Sequence, residues 1–448
     1  MTHSRFTLIL SLLFVCSSLL AEGRQWTLQQ CLDYALQNNI QLRQKSISTQ
    51  SSKEDVAHSK GAFFPSISFS TSQNMNYRPY SKQTISLDGG TMTTTSDAVS
   101  YNGNYGLNAR WTLFNGGKNI MNLKSNELTE QQNRYAEQET ANSIQEQITL
   151  LYIQILYETE AIKVNEEILE SSRMQLERAK VMVETGSLAK VDQVQLESQV
   201  AQDELSLLSA QTQLQNTKLQ LKQLLEIHDG NEDFEVAIPD ISDEMVLLPI
   251  PDQSAVYQAA IENRPEIRAM KLSIENSELS LKTAKIGYVP SISLSGGVGT
   301  SNGSAQSDDF ATQIKNNLSC TVGVSLSLPI YDNNDARTNV RKAKYAQETA
   351  QLQLQDSQKQ LYSTIENYYL EATTSQQKYI YAKKNVESSQ KSYELVNEQF
   401  NLGLKNIVEL TTGKTTLLQA QQQLLESKYN AIYNQAMLRF YLGEDIHF

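Results

Sequence analysis

Pro65-Ser66-Ile67-Ser68-Phe69-Ser70 returns 225 residues later as Pro290-Ser291-Ile292-Ser293-Leu294-Ser295. Each copy opens a short run of alternating apolar and polar residues between long, Gln-rich stretches. Ala35-Leu36-Gln37-Asn38-Asn39-Ile40-Gln41-Leu42 matches Ala260-Ile261-Glu262-Asn263-Arg264-Pro265-Glu266-Ile267 at the same offset. The chain is one helix–hairpin–helix unit written twice, and such a repeat governs every later assignment.

Upstream of the first copy, residues 25–61 carry Leu28, Leu32, Ala35, Leu36, Ile40 and Leu42, the spacing of a helix face. Residues 254–287 are the partner segment. Pro265 suits the first turn of a helix and not its interior. Each segment is therefore predicted to be two helices with a corner, at Asn38 and at Asn263.

Strands follow. Tyr101, Tyr105, Leu107, Ala109, Trp111 and Leu113 share one face, with Asn104, Asn108, Arg110 and Thr112 on the other. Val322, Val324, Leu326, Leu328 and Ile330 alternate with Thr321, Gly323, Ser325 and Ser327. Period two with one apolar face is a half-buried strand, and about ten residues with small polar alternates suits a transmembrane barrel. Hairpins are predicted over 66–113 and 291–330, with solvated loops over about 77–99 and 301–316. Phe114-Asn115-Gly116-Gly117 and Tyr331-Asp332-Asn333-Asn334, at offset 217, are residues that tolerate left-handed backbone, so each is a turn from strand into helix.

Helical runs of about 67 residues come next, over 118–184 and 335–401. At 1.5 Å per residue each is ~100 Å long. Gly186 and Gly403 end them. Second helices follow over 190–226 and 405–441, where Val200, Leu207, Leu214 and Leu221, and Leu417, Leu424, Ala431 and Leu438, recur every seven residues. That period means coiled-coil packing. Two helices of about 37 residues, end to end, equal the long one, so each half reads as one long helix against two shorter ones. The organisation is a first repeat over 22–226, a linker over 227–253 holding Pro239, Pro249 and Pro251, and a second repeat over 254–448.

Residues 1–21 read as a secretory signal: basic Arg5, apolar Leu8–Val15, and Leu19-Leu20-Ala21 before cleavage. A lipoprotein would be acylated on Cys16, but Val15 is larger than that processing site takes. After residue 21 no apolar run is long enough for a spanning helix, which leaves a β-barrel as the way into a membrane. Four strands cannot close a barrel and an open edge in lipid is prohibitively costly. Three copies would give twelve strands, above the eight of the smallest barrels.

The net charge of −12 argues against nucleic acid. The three cysteines, 16, 31 and 320, sit in unlike contexts and form no disulfide framework. His3, His58, His228 and His447 lack ligand spacing. Thr412-Gly413-Lys414-Thr415 contains Gly-Lys-Thr, but Val408 stands where a phosphate loop needs its first Gly. Phe448 resembles a terminal barrel aromatic but follows a helix. Nothing converges on catalysis, a metal or a cofactor, so an enzyme is the least favoured class.

These features, namely the signal, the double repeat, the Ala-x-x-Asn-x-x-x-Leu/Ile corner, the Pro-Ser-Ile-Ser entry and the Gly-x-x-x-x-Val-Asp/Glu turns, resemble the TolC family of outer-membrane efflux proteins over essentially the whole mature chain. The resemblance implies a mainly α fold: a homotrimer sharing a twelve-stranded barrel in outer-membrane lipid, continued by a coiled-coil tunnel in the periplasm of a Gram-negative bacterium. It implies an exit channel for drug efflux or type I secretion. The partners would be a periplasmic adaptor and an inner-membrane pump of RND or ABC type.

In that family the turns between coiled-coil helices form the entrance and the adaptor docking site. Here they are 183–192 and 400–409. Carried over, Gly186, Val191 and Asp192, with Phe400, Gly403, Lys405, Val408 and Glu409, are the site residues. Lys405 would pair with Asp192 to hold the entrance shut, and Glu409 would set its charge, weakened because Thr412 replaces a second acid one turn on. Phe400 stands for an aromatic that can bond through a hydroxyl it lacks. The plainer reading is that these are solvated charges at helix ends, where Asp192 favours the dipole. The competing functions are a periplasmic adaptor and a structural coiled-coil rod.

Overall fold

A computed structural model describes residues 25–79, 82–87, 90–95, 99–227, 234–304 and 306–446. The signal over 1–21, Cys16 and Phe448 lie outside them. In chain order the elements are β1 (Gln25–Trp26), α1 (Leu28–Asn38), α2 (Ile40–Gly61), β2 (Ser66–Tyr77), β3 (Lys82–Leu87), β4 (Gly90–Thr95), β5 (Val99–Phe114), α3 (Lys118–Glu184) and α4 (Lys190–Leu224). Then come β6 (Glu235–Val236), α5 (Asp243–Val246), α6 (Gln253–Asn263), α7 (Pro265–Lys285), β7 (Ser291–Gly303), α8 (Phe310–Asn316), β8 (Ser319–Ser327), α9 (Asp335–Asn401) and α10 (Ile407–Leu442). The chain divides into two units. One takes the described residues of Met1–Ile47, Arg134–Ala269 and Leu354–Phe448; the other takes Ser48–Asn133 and Met270–Gln353.

In the second unit β2, β5, β7 and β8 form one antiparallel sheet in that order, so β2 and β8 are free edges. The register aligns Phe69, Leu107, Val298 and Cys320 in one row across all four strands, and Ser68, Asn108, Gly297 and Thr321 in the next. Pleating sends successive rows to opposite faces. One face is thus apolar, the other small and polar, and the apolar one is uncovered: Val322 is 83% exposed, Phe69 67%. Trp111 anchors its polar end by donating from Nε1 to the Phe63 carbonyl at 2.9 Å. The strand-to-helix turns take left-handed backbone at Gly116, Gly117, Asn333 and Asn334.

Helices α2 and α3 meet through a polar seam of seven-residue period. Asn119 donates to the Ala62 carbonyl at 3.0 Å, Asn126 to the Ser59 hydroxyl at 2.6 Å and Asn133 to the Ser52 hydroxyl at 2.5 Å. The same positions of α9 are Ala336, Ala343 and Ala350. At the first of them a close approach stands in place of the bond: a Cβ on Gly287 would lie 3.3 Å from the Ala336 Cβ.

In the first unit the core gathers where α1, α3, α4 and α10 pack, around Cys31, Ile148, Ile155, Leu221 and Met437. The segment read as a linker is tied to this core. β1 pairs in parallel with β6, the Tyr152 hydroxyl donates to the Ala237 carbonyl at 2.6 Å, and Gln376 and Gln435 both donate to the Val246 carbonyl.

Three expectations are corrected. The loop over 301–316 contains α8, capped by Asp309, whose carboxylate accepts from the Ala311 and Thr312 N–H groups. The loop over 77–99 contains the β3–β4 hairpin. The last strand stops at Ser327, before Leu328 and Ile330, because Pro329 has no N–H to give a ladder. Among the described residues no helix is long and apolar enough to cross a membrane.

Candidate functional site: the helix-hairpin turns

Gly186 and Gly403 end the two 67-residue helices with φ of +74° and +70°. That backbone is left-handed and costs glycine nothing. The chain then closes each helix end from beyond the glycine. Ser187 N–H donates to the Met182 carbonyl at 2.8 Å, and Leu404 N–H to the Gln399 carbonyl at 2.9 Å. These bonds satisfy carbonyls the helix leaves open.

From here the two turns differ. Asn406 caps α10: its side chain accepts from Glu409 N–H at 2.9 Å, while the Glu409 carboxylate accepts from Asn406 N–H at 3.2 Å. Two orphan donors are satisfied reciprocally. The counterpart of Asn406 is Ala189, which makes no side-chain cap. Asp192 stands in the first turn of α4, at the positive end of its dipole.

Lys405, in the turn just before the Asn406 cap, donates to Glu409 in the first turn of α10. The resemblance pairs Lys405 with Asp192; here its ammonium meets the carboxylate four residues on, across the start of the helix. The Lys405 bond, and after it the Asn406 N–H, hold the Glu409 carboxyl below its usual range.

Phe400 is buried with Leu196, Ile407 and Leu410. It fills the core of the turn, a place that needs no hydroxyl. Val191 and Val408 stand 63% and 60% exposed, and Leu402 and Leu404 beside Gly403 are more exposed still. These two leucines were not singled out from sequence. The available signal was apolar residues at a turn, outside any heptad column.

A second omission lies deeper. Lys414, discarded as a failed phosphate loop, is buried and donates to Asp203 and Ser172. Asp203 sits three residues after the heptad position Val200, and Lys414 three before Leu417. Charges at seam positions of a heptad were the signal. Among the described residues no cluster of His, Cys, Asp and Glu could hold a metal ion.

The family model described as "Outer membrane efflux protein" matches residues 31–226 and 256–444. The chain is similar to the outer membrane protein TolC of Escherichia coli (strain K12), 27% identical over 52% of this chain and 48% of that protein. It is also similar to the outer membrane protein TolC of Vibrio cholerae, 21% identical over 93% and 90%. The chain thus spans about half the length of the first of these relatives. The solved structure of CusC superposes with a TM-score of 0.78 at 15% identity, covering 94% of this chain and 92% of that one. At that identity the likeness is one of fold.

Proposed function

The chain belongs to the outer membrane efflux protein family, and from that premise we propose that it is a passive exit duct through the outer membrane. The observation that carries this reading is the four-stranded sheet, with an uncovered apolar face across every strand and a free edge at each side. Unpaired edges are costly in lipid, and an exposed apolar face of this breadth is a liability in water. Three copies pairing β8 to β2 would remove all edges and give twelve strands. The adaptor and rod readings are set aside, because the family model spans both repeats and neither reading uses such a sheet.

In this proposal the two repeats, 22–226 and 254–448, line one path, and the turns around Gly186 and Gly403 form its periplasmic entrance. The exposed Val191, Leu402, Leu404 and Val408 receive a periplasmic adaptor coupled to an inner-membrane pump. Lys405 exchanges Glu409 for Asp192 as the entrance closes, so Glu409 carries free charge only in the closed state. No catalytic step and no cofactor enters. The test is conductance: the detergent-purified chain, added to a planar lipid bilayer, gives discrete, lasting current steps. Folded protein that inserts without current would remove the duct reading.

A further inference from the structure

The polar face of the four-stranded sheet is neutral except at one position. Arg110 is the only charged residue in β2, β5, β7 and β8. Pleating places it with Asn108 and Thr112, two residues to either side, and opposite the apolar Ala109 and Trp111. Its row across the sheet is Ser66, Arg110, Ser295 and Gly323, which holds no acid. The flanking hydroxyls are turned to the backbone: Ser66 donates to the Arg110 carbonyl and Ser295 to the Gly323 carbonyl, both at 3.3 Å. Arg110 is exposed, and among the described residues its side chain makes no ion pair or hydrogen bond.

The charge is written once per chain. At offset 217 the counterpart of Arg110 is Ser327. Where the strands turn into α3 and α9, Lys118, Asp332 and Asp335 line a hollow together with Thr112, Ser291 and Ser327. The Asp332 carboxylate is engaged there, accepting from the Ala336 N–H at 2.8 Å. These three charges lie outside the strands, and none is bonded to Arg110.

A guanidinium is always charged, and its planar fork matches carboxylates and phosphates. Left unpaired, it must face water, and on this sheet the polar face is the one turned to the lumen of a closed barrel. A ring of one sign in a water-filled pore with low-dielectric walls concentrates ions of the other.

We propose that Arg110 is a specificity-determining residue: three copies bring three guanidiniums into one ring inside the barrel, a site that favours multiply charged anions. This rests on the duct reading and names the cargo class that the barrel accepts best, molecules bearing several carboxylates or phosphates.

The test is block of the bilayer current by citrate added on the barrel side. At about 0.1 M salt charges act over ~10 Å, and at about 1 M over ~3 Å, so wild-type block should be clear in the first and fade in the second. Arg110→Ser, which installs the residue of the second repeat, should need roughly threefold or more citrate for half block. Its reversal potential in a salt gradient should move toward that of the cation. The carboxylates of the turns are the same in both proteins and cancel in the comparison. Arg110→Cys in a Cys320→Ser background separates charge from folding, because one assembled protein is read in two forms. A positively charged thiol reagent should restore the citrate block and a negatively charged one should not. Unchanged block and reversal potential in Arg110→Ser would overturn the ring, as would equal block of the two modified forms. A wild type without current would instead defeat the duct reading, a separate outcome.

Discussion

Arg264 lies over the ring of Tyr441, its guanidinium carbon 3.9 Å from the ring centroid. Its counterpart in the first repeat is Asn39, and the counterpart of Tyr441 is Leu224. Asn39 donates to the Leu224 carbonyl at 3.0 Å. The same corner of each repeat is thus tied to the same place on the last long helix, once by an amide and once by a stacked cation. Arg264 also holds Glu146 at 2.8 Å and Glu266 at 3.0 Å.

Arg264→Met should therefore be costly, by about 3–5 kcal/mol, because it strands two partly buried carboxylates. Chemical denaturation of the detergent-solubilised protein measures it. A loss below about 1 kcal/mol, the scale of an exposed pair, would mean that the corner does not depend on this ion network.

Lys405→Ser removes both the present bond to Glu409 and the proposed one to Asp192. Conductance in a planar bilayer should rise. Glu409→Gln keeps the cap and frees Lys405 for Asp192, so its conductance should not rise. Unchanged conductance in Lys405→Ser would remove Lys405 from the gate.

The Glu409 carboxyl has a folded-state pKa below its ordinary 4.5. A depressed carboxyl contributes stability above its ordinary pKa and loses it as pH falls through the folded value. The Tm gap between wild type and Glu409→Gln should be present at neutral pH and close as the pH falls below 4.5. A gap that is the same on both sides of that range would show that the Lys405 bond adds nothing.

Cys320 shares a row with Phe69, Leu107 and Val298 and is exposed, whereas Cys31 is buried and its thiol is pushed up to about 12. A thiolate is the reactive form, so Cys31 should stay silent in the folded protein. In vesicles lipid shields Cys320 from water, so it should resist a charged maleimide and label only once the protein is unfolded. Ready labelling of the folded protein would place the apolar face in water.

Much of this molecule is legible in the sequence because its signals are long or doubled. The 67-residue helices, the Gly and Asn turns and the Asn38 and Asn263 corners repeat at fixed offsets. What escaped is short or lateral. The helix Phe310–Asn316 spans two turns and carries no periodicity to count. The Asn119–Asn126–Asn133 seam has no echo at Ala336, Ala343 and Ala350, so the repeat itself hid it. Lys405 meets Glu409 where the resemblance pairs it with Asp192, and Lys414 meets Asp203, for which no motif speaks, because ion pairing depends on which side chains the fold brings together. One sequence shows the heptad column but not what lies opposite.

The proposed duct depends on one barrel shared by three copies. Light scattering of the detergent-extracted protein, corrected for bound detergent, measures that number. About three chains per particle are expected, the number that brings four strands to more than the eight of the smallest closed barrels. A monomer that stays in solution without detergent would contradict it.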